Sequence, residues 1–321
     1  MKNLSTSILM AILCATGMAQ IPEATKKAAG LYQEKNYTEA QSFIDESVNG
    51  EGASSAYTWH VRGHIYKELY KQVDNFNRTS NSRKEAVKSF EKSIELDSKN
   101  EYKEWNKTSL KYLSSTFWND AVNLIENADA DDLGQAEDAF ESYKNTSAII
   151  NKEQDNGKIS MDFYKAYATG NRMLIEKQRK VGADPANYAT EFGRIKDCYT
   201  KTLGIDAEDY TSNYNFAITL YNEAAYRIER IPADADLTIL LLEQEGCVAL
   251  FKQALPHAKK AYDERPGRIE ILKALRAIYL SLSEYELFEK YDLLIKEKQG
   301  EIGAPSKPDL ESLRKTGILD H

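Results

Sequence analysis

His60 and His64 stand one helical turn apart, a spacing at which two imidazoles can share a metal ion. The intervening Val61-Arg62-Gly63 holds no glutamate, so no metalloprotease HExxH motif is formed. The only other histidines are His257 and His321, and a third ligand would have to come from one of the chain's 50 acids. The simpler expectation is a pair of polar side chains beside a packing stripe, with no metal. The acidic stretch Ala128–Asp132 lacks the spaced oxygens and glycine of a calcium loop and reads as a solvated turn. No phosphate-binding glycine loop, dinucleotide fingerprint, nucleophile elbow or zinc-finger cysteine pattern occurs, so no cofactor is expected and an enzyme ranks last among the readings.

Residues 1–19 carry the marks of a secretion signal: Lys2, the short apolar run Ile8–Leu13, and Gly17-Met18-Ala19 ahead of a cleavage before Gln20. The run is too short to span a bilayer, and no later segment is apolar enough to do so. Leu13 precedes Cys14 where lipoprotein signals have a small residue, which argues against acylation. The expected location is the periplasm or the cell exterior. Cleavage removes Lys2 and no acid, leaving the mature chain one unit more negative than the full chain's −8. That balance disfavours nucleic acid and anionic membranes as partners. Cys198 and Cys247 remain, on helices at different heights, and are expected to stay unpaired and partly buried.

The elements that carry these residues follow from periodicity. Apolar residues recur at helical spacing almost throughout, no alternating strand pattern is sustained, and Gly and Pro are scarce. One pattern returns. Trp59, Gly63 and Tyr66 lie on one face of a helix and are followed by Ala86, Phe90 and Ser93 on the next. Ala28 and Leu31 are followed likewise by Ala40, Ile44 and Ser47; Phe216, Ala217 and Leu220 by Ala254, Ala258 and Ala261; Leu272, Leu275 and Tyr279 by Phe288 and Tyr291. Two weaker copies are Leu110, Leu113, Ser114 and Phe117 with either Ala139, Tyr143 and Thr146 or Ala136 and Phe140, and Tyr164, Tyr167 and Ala168 with Ile195, Tyr199 and Thr202.

This alternation of large, small and aromatic residues resembles the tetratricopeptide repeat. Ala254–Pro266 with Leu275–Tyr279 further resembles exported repeat proteins of the Bacteroidetes. The resemblance implies an all-α, right-handed solenoid of about six helix hairpins over residues 20–298, with an irregular tail at 299–321. Extra residues around Lys67–Arg83, Asn119–Gly134, Arg172–Arg194 and Asn222–Leu250 should lengthen the helices or loops of the middle hairpins. Asn75–Ser82, Ala128–Asp132 and Ala233–Asp236 read as loops, Asp236 as a helix cap, and Pro256 as a kink or restart.

In that family the stripe beside the packing slots of each first helix lines a concave groove. Carried over, it gives Tyr32, His60, His64, Lys67, Lys111, Trp118, Lys165, Arg172, Tyr214, Tyr221 and Lys273. Bases and aromatics without an acid would draw carboxylates. Chaperone-binding members of the family grip a peptide's terminal carboxylate with Lys, Arg and Asn. Lys111, Lys165 and Arg172 are comparable bases here, whereas the Asn residues are not matched. The expected function is a non-catalytic protein- or peptide-binding scaffold of the bacterial cell envelope, its partner acidic or carboxylate-terminated. The alternative is a glycan-binding accessory protein with Tyr and Trp platforms.

Overall fold

A computed structural model describes residues 21–126, 129–152 and 156–300 of the chain. The signal segment with Cys14 and Gln20, and the tail from residue 301, lie outside the described residues. Among the described residues there are twelve α-helices and no strand. None of the helices is long and apolar enough to cross a membrane.

The chain divides into two compact units, residues 1–156 and 157–321. The first contains α1 (Glu23–Gln33), α2 (Tyr37–Val48), α3 (Ala56–Glu68), α4 (Asn81–Leu96), α5 (Lys103–Glu126) and α6 (Ala130–Ile150). The second contains α7 (Gly157–Lys180), α8 (Ala189–Ile205), α9 (Tyr210–Glu229), α10 (Leu237–Glu264), α11 (Ile269–Ser281) and α12 (Tyr285–Lys298). Within each unit every helix packs on its sequence neighbours, as expected of a helical repeat.

Local chemistry sets the helix ends. Ser55, Ser80, Asp129, Asp209 and Asp236 each turn a side-chain oxygen onto a free backbone N–H of the first turn of α3, α4, α6, α9 and α10. The links α1–α2 and α11–α12 share one geometry. Lys35 and Ser283 adopt φ values of 63° and 60°, and the next residue's N–H reaches back five residues, to Leu31 O and Tyr279 O. These tight turns join helices of 11 to 14 residues, whereas α5 to α7, α9 and α10 run to between 20 and 28. The extra residues between the copies have gone largely into helix.

The repeating positions form the core. Ala28, Ala40, Ile44, Ala86, Phe90, Leu110, Leu113, Ala217, Leu220, Ala254, Ala258, Ala261 and Leu275 are all fully buried. The second helix of the third copy follows the Ala136/Phe140 register, because those two side chains are the deeply buried ones while Ala139 and Tyr143 are half-buried.

Four expectations change. Trp59 is only half-buried: its indole N–H bonds Ala53 O at 2.8 Å and the Arg62 guanidinium lies 5.6 Å from its ring. α10 neither ends nor restarts at Pro256. Pro256 and Lys252 are both exposed, so the carbonyl that loses its partner is left to water, while Ala254, Ala258 and Ala261 hold the helix in place. Asp131 and Asp132 belong to the first turn of α6 rather than to a loop, since Asp129 caps the helix through Asp132 N–H at 2.9 Å. Cys198 and Cys247 form no disulfide among the described residues, and both are more deeply buried than expected.

Candidate functional site

α3 brings four polar side chains inward on successive turns: His60, His64, Lys67 and Glu68. His60 and Glu68 are buried and His64 and Lys67 half-buried, because α3 packs against α1 and α4, and α5 reaches it through Asn106 and Ser109. The His60 ring packs 4.6 Å from His64 and 5.0 Å from Tyr102; His64 packs 5.2 Å from Phe90 and 6.3 Å from Tyr32.

A directed chain of hydrogen bonds sets the histidine tautomers. Ser93 Oγ donates to Ala56 O at 2.8 Å, and Asn106 Nδ2 donates to Ser93 Oγ at 2.8 Å. Asn106 Oδ1 therefore faces His60 Nδ1, 2.7 Å away, and that nitrogen must carry the proton. Lys67 Nζ stands 3.3 Å from His64 Nδ1, and an ammonium only donates, so the proton of His64 sits on Nε2. The Nε2 atoms of both histidines are buried without a partner. Burial holds the His60 imidazole down to about 4 and the His64 imidazole well below the ordinary histidine value, so both are neutral at pH 7.

Lys67 is the unusual charge. Its ammonium meets His64 Nδ1 and, at 3.4 Å, Ser109 Oγ on α5, both neutral. The adjacent Glu68 spends its carboxylate on Lys71, at 2.9 and 3.1 Å. Burial lowers Lys67 to about 8, as expected of an ammonium with no carboxylate at ion-pair distance. Tyr32, Tyr37 and Tyr112 surround Glu68 closely enough that, after burial, its charge helps to push their hydroxyl ionisation up. Directly after Glu68 the helix widens into a π turn, Leu69–Val73, a feature that recurs at functional sites. Beyond it Asn75 and Phe76 take φ values of 47° and 58°, a strained pair for residues with side chains.

The remaining residues of the predicted stripe are dispersed. In the first unit Lys111 is exposed, and Trp118 is half-buried against Phe140 and Tyr143, at 6.1 and 5.3 Å. In the second unit Lys165 is tied to Asp209 at 2.8 Å, and Arg172 is exposed with Glu176 at 3.9 Å. Tyr214 stacks on Tyr210, Tyr221 packs on Phe251, and Lys273 is exposed. Tyr32, His60, His64 and Lys67 are thus one cluster. Acids do enter the stripe's surroundings, through Asp209 and Glu68.

Sequence reasoning missed Asn106, Ser109, Tyr112, Glu68 and Lys71. The signal for two of them was present: Asn106 and Ser109 continue the buried spacing Leu110, Leu113, Phe117 one turn upstream, as polar residues on an apolar face. Among the described residues no group of three or more His, Cys, Asp or Glu could hold a metal ion. The chain matches no family model and no curated protein.

Proposed function

We propose that this chain is a non-catalytic scaffold of the bacterial cell envelope, exported by its N-terminal signal, that binds a protein or peptide through acidic groups. In this reading the twelve helices form about six tetratricopeptide-like hairpins of a right-handed solenoid, the middle ones elongated. The observation that carries it is Lys67: a half-buried ammonium whose hydrogen-bond partners are neutral and which has no carboxylate at ion-pair distance among the described residues, near Tyr32 of α1 and Tyr112 of α5. A partly desolvated cation without an ion-pair partner is costly, and a carboxylate from a partner would relieve that cost. Exposed Trp105, Thr108, Tyr112, Ser115 and Asn119 share one face of α5 and extend the surface on which a chain could lie, with Lys111 on its flank.

The test measures binding of fluorescent acidic peptides, each paired with a copy whose Asp and Glu are replaced by Asn and Gln and whose C-terminus is amidated. Wild type should retain the acidic peptides only, more weakly as salt rises. Lys67→Met should lose them while staying folded. Equal retention of both peptide sets, or by both proteins, removes the reading.

A further inference from the structure

The second unit contains a cleft with a different chemistry. A limb of about 350 Å³ runs between α8 and α10. It meets a wider space of about 560 Å³ bordered by the α9–α10 link. Both volumes lie within the range of small-molecule sites. Arg227 of α9 lines both, at their junction.

The floor beneath Arg227 is a buried ion triad. Glu223, whose side chain is 1 % exposed, gives one carboxylate oxygen to Arg179 and the other to Arg227 Nε, the latter at 2.6 Å. Glu243 also acts on Arg227, and Asp184 lines the cleft, but Arg230 and Lys196 line it too. The cations Arg179, Arg227, Arg230 and Lys196 thus outnumber the acids Glu223, Glu243 and Asp184. Arg179 turns away onto the rings of Tyr226 and Tyr188, 4.6 and 5.3 Å off. Arg227 spends only Nε, so its terminal amino groups are free to face the cleft. The narrower limb is walled mainly by small or apolar residues, Ala189, Phe192 and Gly193 from α8 with Gly246, Ala249 and Leu250 from α10, and Lys196 and Gln253 complete it. A side chain built at Gly193 or Gly246 would meet nothing within 4 Å, so the limb is open space rather than a packing contact. Arg230 borders only the wider space and Lys196 only the narrower limb, whereas Arg227 is the base common to both, which places an entering anion at Arg227 and its apolar body in the narrower limb, away from Glu243.

We infer that this cleft binds a medium-length alkyl carboxylate, its head bidentate on Arg227 and its chain laid between α8 and α10. A planar guanidinium edge matches a carboxylate in geometry as well as charge. A smooth wall of Gly and Ala suits an unbranched chain. The site is separate from the Lys67 cluster and does not depend on its function.

Calorimetry on the full chain tests this with dodecanoate below its micellar concentration, and with dodecanol and acetate as comparators. One dodecanoate should bind per chain, at least tenfold tighter than dodecanol, with acetate undetected. Arg227→Gln should weaken dodecanoate at least tenfold, while Glu223 keeps Arg179. Gly246→Leu fills the limb without a clash at Cβ and replaces a helix-interior glycine, so its melting temperature should hold or rise while binding is lost. Leu237, Ile239, Leu241 and Leu242 are exposed at the start of α10 and offer a non-specific route for alkyl chains. Undiminished binding by Gly246→Leu, several molecules per chain, equal affinity for dodecanol, or no binding at all would each overturn the inference.

Discussion

The ring of Phe90 occupies the space that any side chain at Gly63 would need: an atom at the Cβ position would stand 2.5 Å from Phe90 Cε1. Contact between carbons is comfortable only near ~3.5–4.0 Å, so the closeness of α3 and α4 depends on the missing methyl. Gly63→Leu is expected to force the helices apart and cost about 3 kcal/mol. Trp59→Ala should cost less, because the indole is half in water. Thermal melts of both variants check the order; a milder Gly63→Leu would contradict the packing described.

Acid should loosen the first unit. His60 is held at about 4 in the fold and returns to its ordinary 6.5 when unfolded. Above pH 6.5 neither state takes a proton, and the full stability is present. Below it the unfolded chain binds a proton that the fold refuses, so stability falls from pH 6.5 towards 4, by about 3 kcal/mol for this one group. His64 is shifted in the same direction. Urea midpoints of wild type and His60→Gln between pH 7 and 4.5 separate this from carboxylate effects: the variant should lose less on acidification, and parallel curves would exclude the mechanism.

Lys67→Met should raise stability by about 1–2 kcal/mol at neutral pH, since it removes an ammonium whose desolvation outweighs the attraction of Glu68, which Lys71 opposes. The advantage should shrink above pH 8. There Lys67 in the fold gives up its proton while the unfolded lysine, at 10.5, keeps it, so wild type gains stability as pH climbs between those values. A melting temperature lower than wild type at pH 7 would show that the ammonium is already neutralised.

Arg62 makes the opposite case. Its guanidinium donates to Asp45 at 2.8 Å, Ser89 at 2.7 Å and Glu85 at 3.0 Å, with the Tyr66 ring 4.3 Å away. These bonds tie α3 to α2 and α4. Arg62→Met leaves Asp45 with the Tyr66 hydroxyl alone and Glu85 with Lys88 alone, both partly in water, and should cost about 2 kcal/mol. Chemical denaturation measures it.

Cys198 and Cys247 should both titrate as free thiols in denaturant and react slowly in the native protein. Burial raises the Cys247 thiol, and its Sγ donates to Ala224 O at 3.4 Å. Rapid native reaction at both sites would mean that α8 and α10 open readily.

Helix identity and core were legible because they depend on spacing alone. Gly63 with Phe90, and Ala254, Ala258 and Ala261, fall at intervals that only a helix brings to one face. The candidate site was legible in part. The stripe position of His60, His64 and Lys67 predicts open space, yet α1, α4 and α5 pack against the two histidines and turn them into neutral groups, leaving Lys67 at the edge. Periodicity gives the direction of a side chain from its helix axis, not which neighbouring helix stands there. At Pro256 the helix runs on rather than restarting for a related reason: the rule concerns a lost hydrogen bond, and here the bereft carbonyl faces water.

The bonds from Ser93 through Asn106 to His60 run across α4, α5 and α3, each in one fixed sense. Lifting any one of these helices strips a polar group in the interior of its only counterpart, so none can breathe alone at low cost. The three should open to solvent as one kinetic body. Their slowest amide protons would then exchange at a common free energy, whatever the separate helix-forming tendencies of the segments.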